Sequence, residues 1–402
     1  MSEPERSDRE TGPWDEARRA RAVLAWLAEP GHRELGRMVR GLGPVETMQR
    51  VLADAVPDAV RSAVAARREG LEPDRLADQL EAEAGRLGCR LATPEDADWP
   101  RQVEDLGRLP AGRGDPRSDP RTDPPSCLWV RGSRPLAATL DRSVAVVGAR
   151  AASEYGQFVA ADLAHGVSEL DWTVVSGGAY GIDAAAHRGV LAAGGPTVAV
   201  LANGIDVAYP VAHSGLFDRV AQDGLLVSEW PPGATAQRHR FLIRNRVIAA
   251  MCRGTVVVEA SARSGARNTA RRTIQLGRSL MAVPGPVTSA MSVGTHLLVR
   301  EDQARLVTSA AEVLEEVGRI GEDLAPVPRG AADPRDTLDP VATRVLDAVP
   351  MRRGTSVERI AVVAGVPAVQ VRRCLPMLGL LGFVEETDTG YRLAPQNRPH
   401  PA

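Results

Sequence analysis

The 402-residue chain contains no lysine, only four cysteines and few aromatic residues. The cysteines (Cys89, Cys127, Cys252 and Cys374) lie far apart and form no CxxC pair, which argues against a zinc site and a disulfide framework and fits a reducing compartment. No stretch reaches the ~18 continuous apolar residues that a membrane-spanning helix needs. The charged amino-terminal residues have no apolar run behind them. We therefore expect a cytoplasmic protein that is neither exported nor membrane-bound.

Because lysine is absent, all 49 basic residues are arginine, and the formal net charge is −2. This average speaks against a nucleic-acid partner, since affinity for phosphates comes from basic side chains. The arginines are unevenly distributed, however: ten lie between Thr235 and Arg278, where the single acid is Glu259. An arginine-rich composition explains many arginines but not missing acids. The block therefore favours an anion-binding face over a merely solvated surface.

Length and composition predict two or three domains, separated by segments rich in Pro, Gly and charge. The first of them has apolar residues at helical spacing, and its small-residue turns are typical of a SAM-like or helix-hairpin-helix (HhH)-like unit, to which we assign no site. The expected segments are, in chain order, a disordered tail (1–14), the helical domain (15–90), a Rossmann-like domain (91–317) with a mobile loop (111–126), a linker (318–337) and a winged-helix domain (338–395).

Short β-branched runs alternate with helical patterns after residue 143. The runs are continuously apolar rather than alternating, which indicates strands buried on both faces of a sheet. The predicted fold class is therefore α/β, with a Rossmann-like, doubly wound, mostly parallel sheet. Ligands of such folds bind at the carboxyl ends of the strands. The predicted strands are VAVVG, TVVSGG, TVAVLA, LLVSE, TVVVEA and LMAVPG.

Three predicted helices and two strands around a Thr-Gly turn follow residue 340, which is the winged-helix pattern. Arg372 and Arg373 on the third helix are candidates for a DNA-recognition face. Acids in the wing oppose that function: Glu385, Glu386 and Asp388. Two interpretations of this domain stay open, namely DNA reading and a protein-contact or regulatory role.

The residues after the first two strands of the predicted sheet are suited to binding a phosphate. Gly148 lets an anion approach the backbone, and Arg150 adds a bidentate donor. The next strand ends in a small-residue loop, where Ser176, Gly177 and Gly181 precede a helix and form a second nest of donors. Neither loop is a GxGxxG motif, so no dinucleotide is implied.

Asp183 and His187 lie one turn apart on the helix after that loop. A metal pair is one interpretation, but no third ligand is apparent. We therefore expect Asp183 to cap the helix start and His187 to be packed or hydrogen-bonded, with no metal and no cofactor. Glu259 follows a later strand and is expected to orient an arginine. The supporting residues at the predicted site are Asp183, His187, Glu259, Ser264, Gly265 and Thr269.

The segment FLIRNR, which enters a helix after a Pro-Pro-Gly loop, has the residue types of a nucleic-acid contact. Phe241 can stack a base, Arg244 and Arg246 can clamp phosphates, and Asn245 can hydrogen-bond a base or sugar. The alternative is a core phenylalanine with solvated arginines. We favour the nucleic-acid interpretation because the neighbouring strand ends point to the same site.

Several motifs occur together in one order and spacing: VAVVGAR, SGGAYGIDAAAH, LANGIDVAYP, SEWPPG, FLIRNR, VVVEASARSGARNTA and AVPG. Over about residues 143–306 they resemble the DprA/Smf family of DNA-processing proteins. The resemblance implies a non-catalytic homodimer that binds single-stranded DNA, protects incoming strands in natural transformation, and recruits the recombinase RecA, sometimes past single-stranded DNA-binding protein. The DNA-binding residues that it implies are Gly148, Arg150, Ser176, Gly177, Gly181, Phe241, Arg244, Asn245 and Arg246.

The chain departs from the family pattern at several positions. Gly178 and Tyr180 stand where a Leu or Met and an Arg are commoner, which removes one positive charge from the pocket. Leu242 and Ile243 replace a Pro and a variable, often basic residue, and His296 replaces an Asn. These departures are expected to weaken or retune the contact with DNA.

Two other functions fit parts of the pattern. The first is a nucleotide phosphoribohydrolase of the LOG-like type, which has a similar sheet. Its PGGxGTxxE motif is missing, and Glu259 has no paired general acid with obvious geometry. The second is a winged-helix transcriptional regulator, whose marker is specificity for a duplex sequence.

Overall fold

The computed structural model describes residues 13–109, 121–319 and 338–395, together with Asp323, Ala325 and Arg335. Two compact units divide the chain, residues 1–325 and residues 326–402. Most of the predicted disordered tail and of the predicted linker lies outside the described residues, as do positions 111–120 of the predicted mobile loop. The domain boundaries stay a prediction.

A nine-stranded sheet forms the centre of the first unit, in the order β1-β2-β6-β5-β4-β3-β7-β8-β9. Strands β3 to β9 pair in parallel, while β1 and β2 extend the sheet beyond β6 in antiparallel fashion. The prediction of a mostly parallel, Rossmann-like sheet is confirmed. The strands are β1 (Cys89–Ala92), β2 (Leu128–Arg131), β3 (Ser143–Val147), β4 (Thr173–Ser176), β5 (Thr197–Leu201), β6 (Leu225–Ser228), β7 (Gly254–Val257), β8 (Ser279–Ala282) and β9 (Arg305–Leu306).

Helices cover the sheet because successive strand residues point to opposite faces. Within β3, Ala145 and Val147 pack into one apolar layer, and Val144 and Val146 pack into the other. The helices of this unit are α1 (Glu16–Leu27), α2 (Arg33–Leu42), α3 (Pro44–Leu52), α4 (Asp58–Arg68), α5 (Pro73–Leu87), α6 (Leu136–Asp141), α7 (Glu154–Glu169), α8 (Ile182–Ala193), α9 (Ser214–Asp223), α10 (Arg238–Met251), α11 (Ala266–Gln275), α12 (Val293–Arg300) and α13 (Ala310–Val317), with 3-10 helices at Arg101–Arg108 and Val211–His213.

The chain direction across the sheet reverses at β3. The chain continues from β3 to β4, β5 and β6 on one side, and then returns to β7 and β8 on the other. The loop that follows β3 and the loops that follow its neighbours β4 and β7 therefore diverge from one another at the carboxyl ends of these strands. In open α/β sheets this switch point leaves the crevice in which ligands bind.

The amino-terminal helices α1–α5 belong to the same compact unit as the sheet. Glu29, between α1 and α2, accepts hydrogen bonds from the Trp230 indole nitrogen at 2.9 Å and from Arg240 at 2.5 and 3.1 Å. Burial raises the pKa of Glu29, but these two donors outweigh it and leave the pKa below its usual value. The contact ties the helical segment to the first turn of α10.

The prediction of a mobile loop is wrong for its last six residues, 121–126, which make fixed contacts with the rest of the unit. Asp123 is buried and makes a two-pronged ion pair with Arg40 of α2, at 2.6 and 2.8 Å. Its backbone nitrogen also donates to the Gly31 carbonyl at 3.3 Å. Composition could not reveal this, because Pro, Asp and Arg are typical both of loops and of segments fixed by ion pairs.

The second unit contains α14 (Pro340–Asp347), α15 (Val357–Ala364), α16 (Ala368–Leu380) and a hairpin of β10 (Val384–Thr387) and β11 (Gly390–Leu393). This is the predicted order of three helices and two strands, and the winged-helix assignment stays a prediction. Arg372 pairs with Glu358 of α15 at 2.8 Å. Within the described ranges, no single helix is long and apolar enough to cross a membrane; α15 and α16 pass that test only together, across a 105° bend.

Candidate nucleic-acid interface

A cleft of about 710 Å³ lies at the switch point of the sheet. Its walls are formed by residues from 147–151 after β3, Ala179 and Asp183 after β4, residues from 236–248 around the start of α10, and residues from 261–269 after β7, together with Tyr209 and Met291. Nine of the predicted site residues meet there, which are Gly148, Arg150, Asp183, Phe241, Arg244, Asn245, Ser264, Gly265 and Thr269. Six do not line it: Ser176, Gly177, Gly181, His187, Arg246 and Glu259.

Arg150 and Phe241 form the most prominent contact of the cleft wall. The guanidinium carbon of Arg150 lies 4.5 Å from the centre of the Phe241 ring, and the centre of the Tyr209 ring lies 5.6 Å from the centre of the Phe241 ring. Arg150 is exposed, and it makes no ion pair with any described residue. A cation and aromatic faces are therefore presented together at one wall, as contacts to phosphates and bases require.

The floor of the cleft contains a buried cation beside a buried carboxylate. Arg244 donates to the Val200 carbonyl, and it is 4% exposed. Burial lowers the pKa of Arg244 to about 10, and the attraction of Asp183 opposes this shift. Burial also raises the pKa of Asp183, with Arg244 partly offsetting it. Arg244 therefore keeps its charge at pH 7 and faces the cleft from below.

The loop after β4 packs against this floor. The Ala179 amide donates to the Asp183 carboxylate at 3.4 Å. Asp183 lies in the first turn of α8, and Gly181 rather than the predicted Asp183 occupies the cap position. A Cβ atom at Gly177 would lie 2.3 Å from the Arg244 guanidinium. Gly181 has φ +76°. Glycine is required at position 181 by its positive φ and by the nearby Ala149 carbonyl, and at position 177 it leaves room for the Arg244 and Asp183 side chains.

Ser176 and His187 are internal, and the prediction that Ser176 donates to an anion is wrong. The Ser176 hydroxyl is buried and donates to the Val146 carbonyl at 2.6 Å. His187 lies within hydrogen-bond distance of the Gly177 carbonyl through Nε2, at 2.8 Å, and of the Thr197 hydroxyl through Nδ1, at 2.7 Å. A carbonyl only accepts, so Nε2 carries the proton. Burial lowers the pKa of His187 to about 4, and the ring is neutral at pH 7.

The expectation that Glu259 orients an arginine is wrong. Its two carboxylate oxygens accept from the Ser153 amide at 2.9 Å and from the Ser153 hydroxyl at 2.5 Å. Ser153 in turn caps α7 by accepting from the Gly156 amide at 3.0 Å. A carboxylate at a helix amino terminus is stabilised by the helix dipole. Glu259 therefore fastens the end of β7 to the start of α7.

The prediction that Arg246 clamps a phosphate is also wrong. Arg246 is 0% exposed and donates to the Glu229 carboxylate at 2.5 Å, behind α10 and away from the cleft. Burial raises the pKa of Glu229, and the attraction of Arg246 opposes that rise. The alternation of Arg244 and Arg246 in FLIRNR therefore places one arginine under the cleft and the other in the protein interior.

Two exposed arginines line the cleft that sequence reasoning did not single out. Arg238 is the first residue of α10, and Arg263 lies in the loop after β7. Neither makes an ion pair with a described residue. Both belong to the arginine-rich block between Thr235 and Arg278, but the sequence does not show which arginines of that block are exposed and which are buried. A second cleft, lined by Arg263, Arg267 and Arg271, continues from the first across Ser264 and Gly265.

Across the described ranges, no cluster of three or more His, Cys, Asp or Glu side chains is placed to hold a metal ion. The fold and the cleft thus define a class: a Rossmann-like protein with an arginine-rich, partly aromatic cleft at the switch point of its sheet. The chain belongs to the family of DNA recombination-mediator protein A, whose family model matches residues 90–318.

Known proteins support this membership and the resemblance to DprA/Smf. The chain is 46% identical over 380 residues to a putative DNA processing protein DprA of Mycobacterium tuberculosis, which covers 94% of this chain and 95% of that protein. It is 35% identical over 274 residues to protein Smf of Escherichia coli, covering 66% and 71%. The X-ray structure of DprA from Streptococcus pneumoniae has a TM-score of 0.57 at 28% identity, covering 77% of this chain and 100% of that one.

Replacing Arg246 tests its assignment to the interior. Arg246→Ala leaves the buried Glu229 carboxylate without its partner, so we expect a loss of about 3–5 kcal/mol in the free energy of unfolding. All six tryptophans lie in the first unit, so tryptophan fluorescence in urea measures the unfolding of that unit. The double variant Glu229→Gln/Arg246→Met should recover much of the loss. A loss below about 1 kcal/mol for Arg246→Ala contradicts the assignment.

His187 gives the first unit a predicted pH dependence. Its pKa is lower in the folded state than in the unfolded chain, so the unfolded state binds more protons between pH 6.5 and about 4. Stability should therefore fall as pH drops through this window, by up to about 1.4 kcal/mol per pH unit from this group. Urea titrations at pH 7, 6 and 5 should have a shallower pH slope for His187→Gln. Equal slopes for both proteins contradict the neutral, buried imidazole.

Proposed function

We propose that this protein binds single-stranded DNA in the cleft at the switch point and delivers the strand to a recombinase, without catalysing a reaction itself. The observation that carries the proposal is the joint position of Arg150, Phe241 and Arg238 on one open wall. Phosphates are bound by the exposed guanidinium groups, and Arg244 adds a fixed positive charge from the floor. Family membership adds the context of DNA recombination.

The aromatic side chains favour an unpaired strand over a duplex. A base can stack on Phe241 or Tyr209 only when it is released from its neighbours and its pairing partner. Asn245 also lines the cleft, and its amide nitrogen is 3.4 Å from the Gly265 carbonyl, a weak contact that a base or sugar can replace. Stacking on π-faces is tolerant of sequence, which suits a protein that binds any incoming strand.

The finer elements of the proposal extend the family resemblance. The protein acts in the cytoplasm as a homodimer, protects single strands in transformation or recombination, and loads RecA onto DNA, including DNA covered by single-stranded DNA-binding protein. These steps need a cleft that holds the strand by its backbone while leaving length free on both sides. The open ends of the cleft, one of which continues past Arg263 into the second cleft, are compatible with such a strand.

The hydrolase alternative is less well supported. Glu259, the candidate catalytic acid, has both oxygens engaged by Ser153 and does not line the cleft. Asp183 is the one carboxylate among the described cleft residues, and it is buried beside Arg244. General acid–base cleavage of a nucleotide needs a carboxyl group within reach of the scissile bond. Incubation with nucleoside monophosphates, followed by chromatography for released base, should therefore detect no turnover.

Fluorescence anisotropy with labelled oligo-dT and a duplex of equal length tests the proposal. We expect preference for the single strand, and affinity that weakens with salt. Arg150→Ala/Arg238→Ala should bind oligo-dT tenfold to about a hundredfold more weakly, because two charged contacts are removed. It should also reduce the slope of log affinity against log salt by about 1.4, since each phosphate contact to a single strand contributes about 0.7.

The matched control removes two arginines from the opposite edge of the sheet. Arg142 and Arg253 precede β3 and β7 and lie over the Trp172 ring, at 5.3 and 5.6 Å from its centre. Arg142→Ala/Arg253→Ala has the same change in net charge and should bind like the wild type. If both double variants lose affinity equally, the binding is nonspecific attraction to the whole molecule and the cleft is not the site.

Recombinase loading has its own readout. RecA ATPase activity on single strands covered by single-stranded DNA-binding protein normally begins after a lag. The wild-type protein should shorten the lag, and Arg150→Ala/Arg238→Ala should not, because loading requires the bound strand. A lag that the wild type leaves unchanged, despite tight DNA binding, contradicts the mediator role and leaves strand binding as the function.

A further inference from the structure

Three aromatic rings, those of Phe217, His213 and Tyr180, contact one another in succession behind the loop that follows β4. Phe217 of α9 is buried in the apolar core, and its ring is edge-on to His213 at 6.0 Å. His213 is also buried, and its Nδ1 is 3.1 Å from the Gly178 carbonyl. The Tyr180 ring lies 4.7 Å from His213, again edge-on, and is 51% exposed. The exposed ring is therefore held from behind by two ordered ones.

This arrangement of rings requires a glycine at position 178. A Cβ atom at that position would lie 2.6 Å from Cζ of Phe217, so any larger residue would displace the ring that supports His213. Gly178 and Tyr180 are two of the positions at which the chain departs from the family pattern. The structure connects these two positions. The absence of a side chain at position 178 leaves room for the Phe217 ring, and the series of ring contacts that begins at Phe217 ends at Tyr180.

We propose that Tyr180 is a stacking subsite for one unpaired nucleobase of a strand bound in the neighbouring cleft. The proposal rests on the proposed function, which it deepens by naming a contact outside the cleft. Tyr180 follows directly after Ala179, which lines the cleft. The next residue, Gly181, packs against the Ala149 and Arg150 carbonyls. A strand that leaves the cleft past Arg150 therefore meets the Tyr180 ring.

The distribution of aromatic residues supports a nucleobase as the occupant. Two tyrosines, Tyr180 and Tyr209, lie near the cleft at the carboxyl edge of the sheet and are 51% and 45% exposed. Arg150 lies at the same edge of the sheet, and its guanidinium already lies on the face of Phe241. Cations flanking exposed rings bind the alternating phosphates and bases of a single strand. A ring held by edge contacts keeps its face available for stacking.

The test is an abasic scan of a labelled oligo-dT, in which one nucleotide at a time lacks its base. For the wild type, abasic substitutions should weaken binding at the positions that contact Phe241 and Tyr209 and at one further position towards an end. Tyr180→Ala should weaken binding of the intact strand by about fivefold to a hundredfold. In this variant the further abasic position should lose its effect, while the salt dependence stays unchanged because no charge is removed.

Two controls separate the subsite from other effects. Tyr180→Phe keeps the stacking face and should bind like the wild type, with the same abasic profile. Tyr155→Ala removes an exposed ring at the same edge that lies outside the cleft, and it should leave the profile unchanged. Retention of all abasic effects in Tyr180→Ala, with wild-type affinity, overturns the subsite while the cleft stands. Failure of the wild type to bind any single strand overturns the proposed function itself.

Discussion

Helix α10 carries three buried arginines, and each faces a carboxylate from a different part of the chain. Arg240 binds Glu29 from the amino-terminal helices, Arg246 binds Glu229 from the end of β6, and Arg244 lies beside Asp183 of α8. A buried guanidinium is stable only with such partners. The two ion pairs of Arg240 and Arg246, together with the hydrogen bond from Arg244 to the Val200 carbonyl, hold the helix in one orientation. The cleft depends on that orientation because α10 forms one of its walls.

The arginines of this region therefore fall into two groups: buried arginines that fix helix α10, and exposed arginines that are free to contact a ligand. The arginines that fix α10 point into the protein or into the cleft floor, where each of them donates to a carboxylate or to a backbone carbonyl of the protein. The arginines that face solvent (Arg150, Arg238 and Arg263) are then presented on a rigid surface around Phe241. A preorganised site loses less entropy on binding a flexible strand than a mobile one does. The loop that contains Gly178 and Tyr180 is likewise supported from the interior, because Tyr180 packs on the buried His213.

The six predicted strands and the switch point could be read from the sequence, because continuous apolar runs leave few alternatives. Strands β1, β2 and β9 could not, since CRLA, LWVR and RL are too short to show a strand pattern, and β1 also overlaps the end of the predicted helical domain. The site was partly predictable: strand ends identified Gly148 and Arg150, and the FLIRNR motif identified Phe241. The roles of Arg246 and Glu259 depend on partners distant in the sequence, Glu229 and Ser153. No local pattern distinguishes a buried arginine from an exposed one in a chain without lysine.

Photocrosslinking tests the central claim, that a single strand lies in the cleft beside α10, most directly. An oligo-dT carrying 5-iodouracil at single positions would be irradiated with the wild-type protein, and the linked peptides identified by mass spectrometry. The claim predicts adducts on Tyr209 and Phe241, whose rings are 5.6 Å apart in the cleft wall. Adducts confined to the second unit, or to the amino edge of the sheet near Trp172, would contradict it.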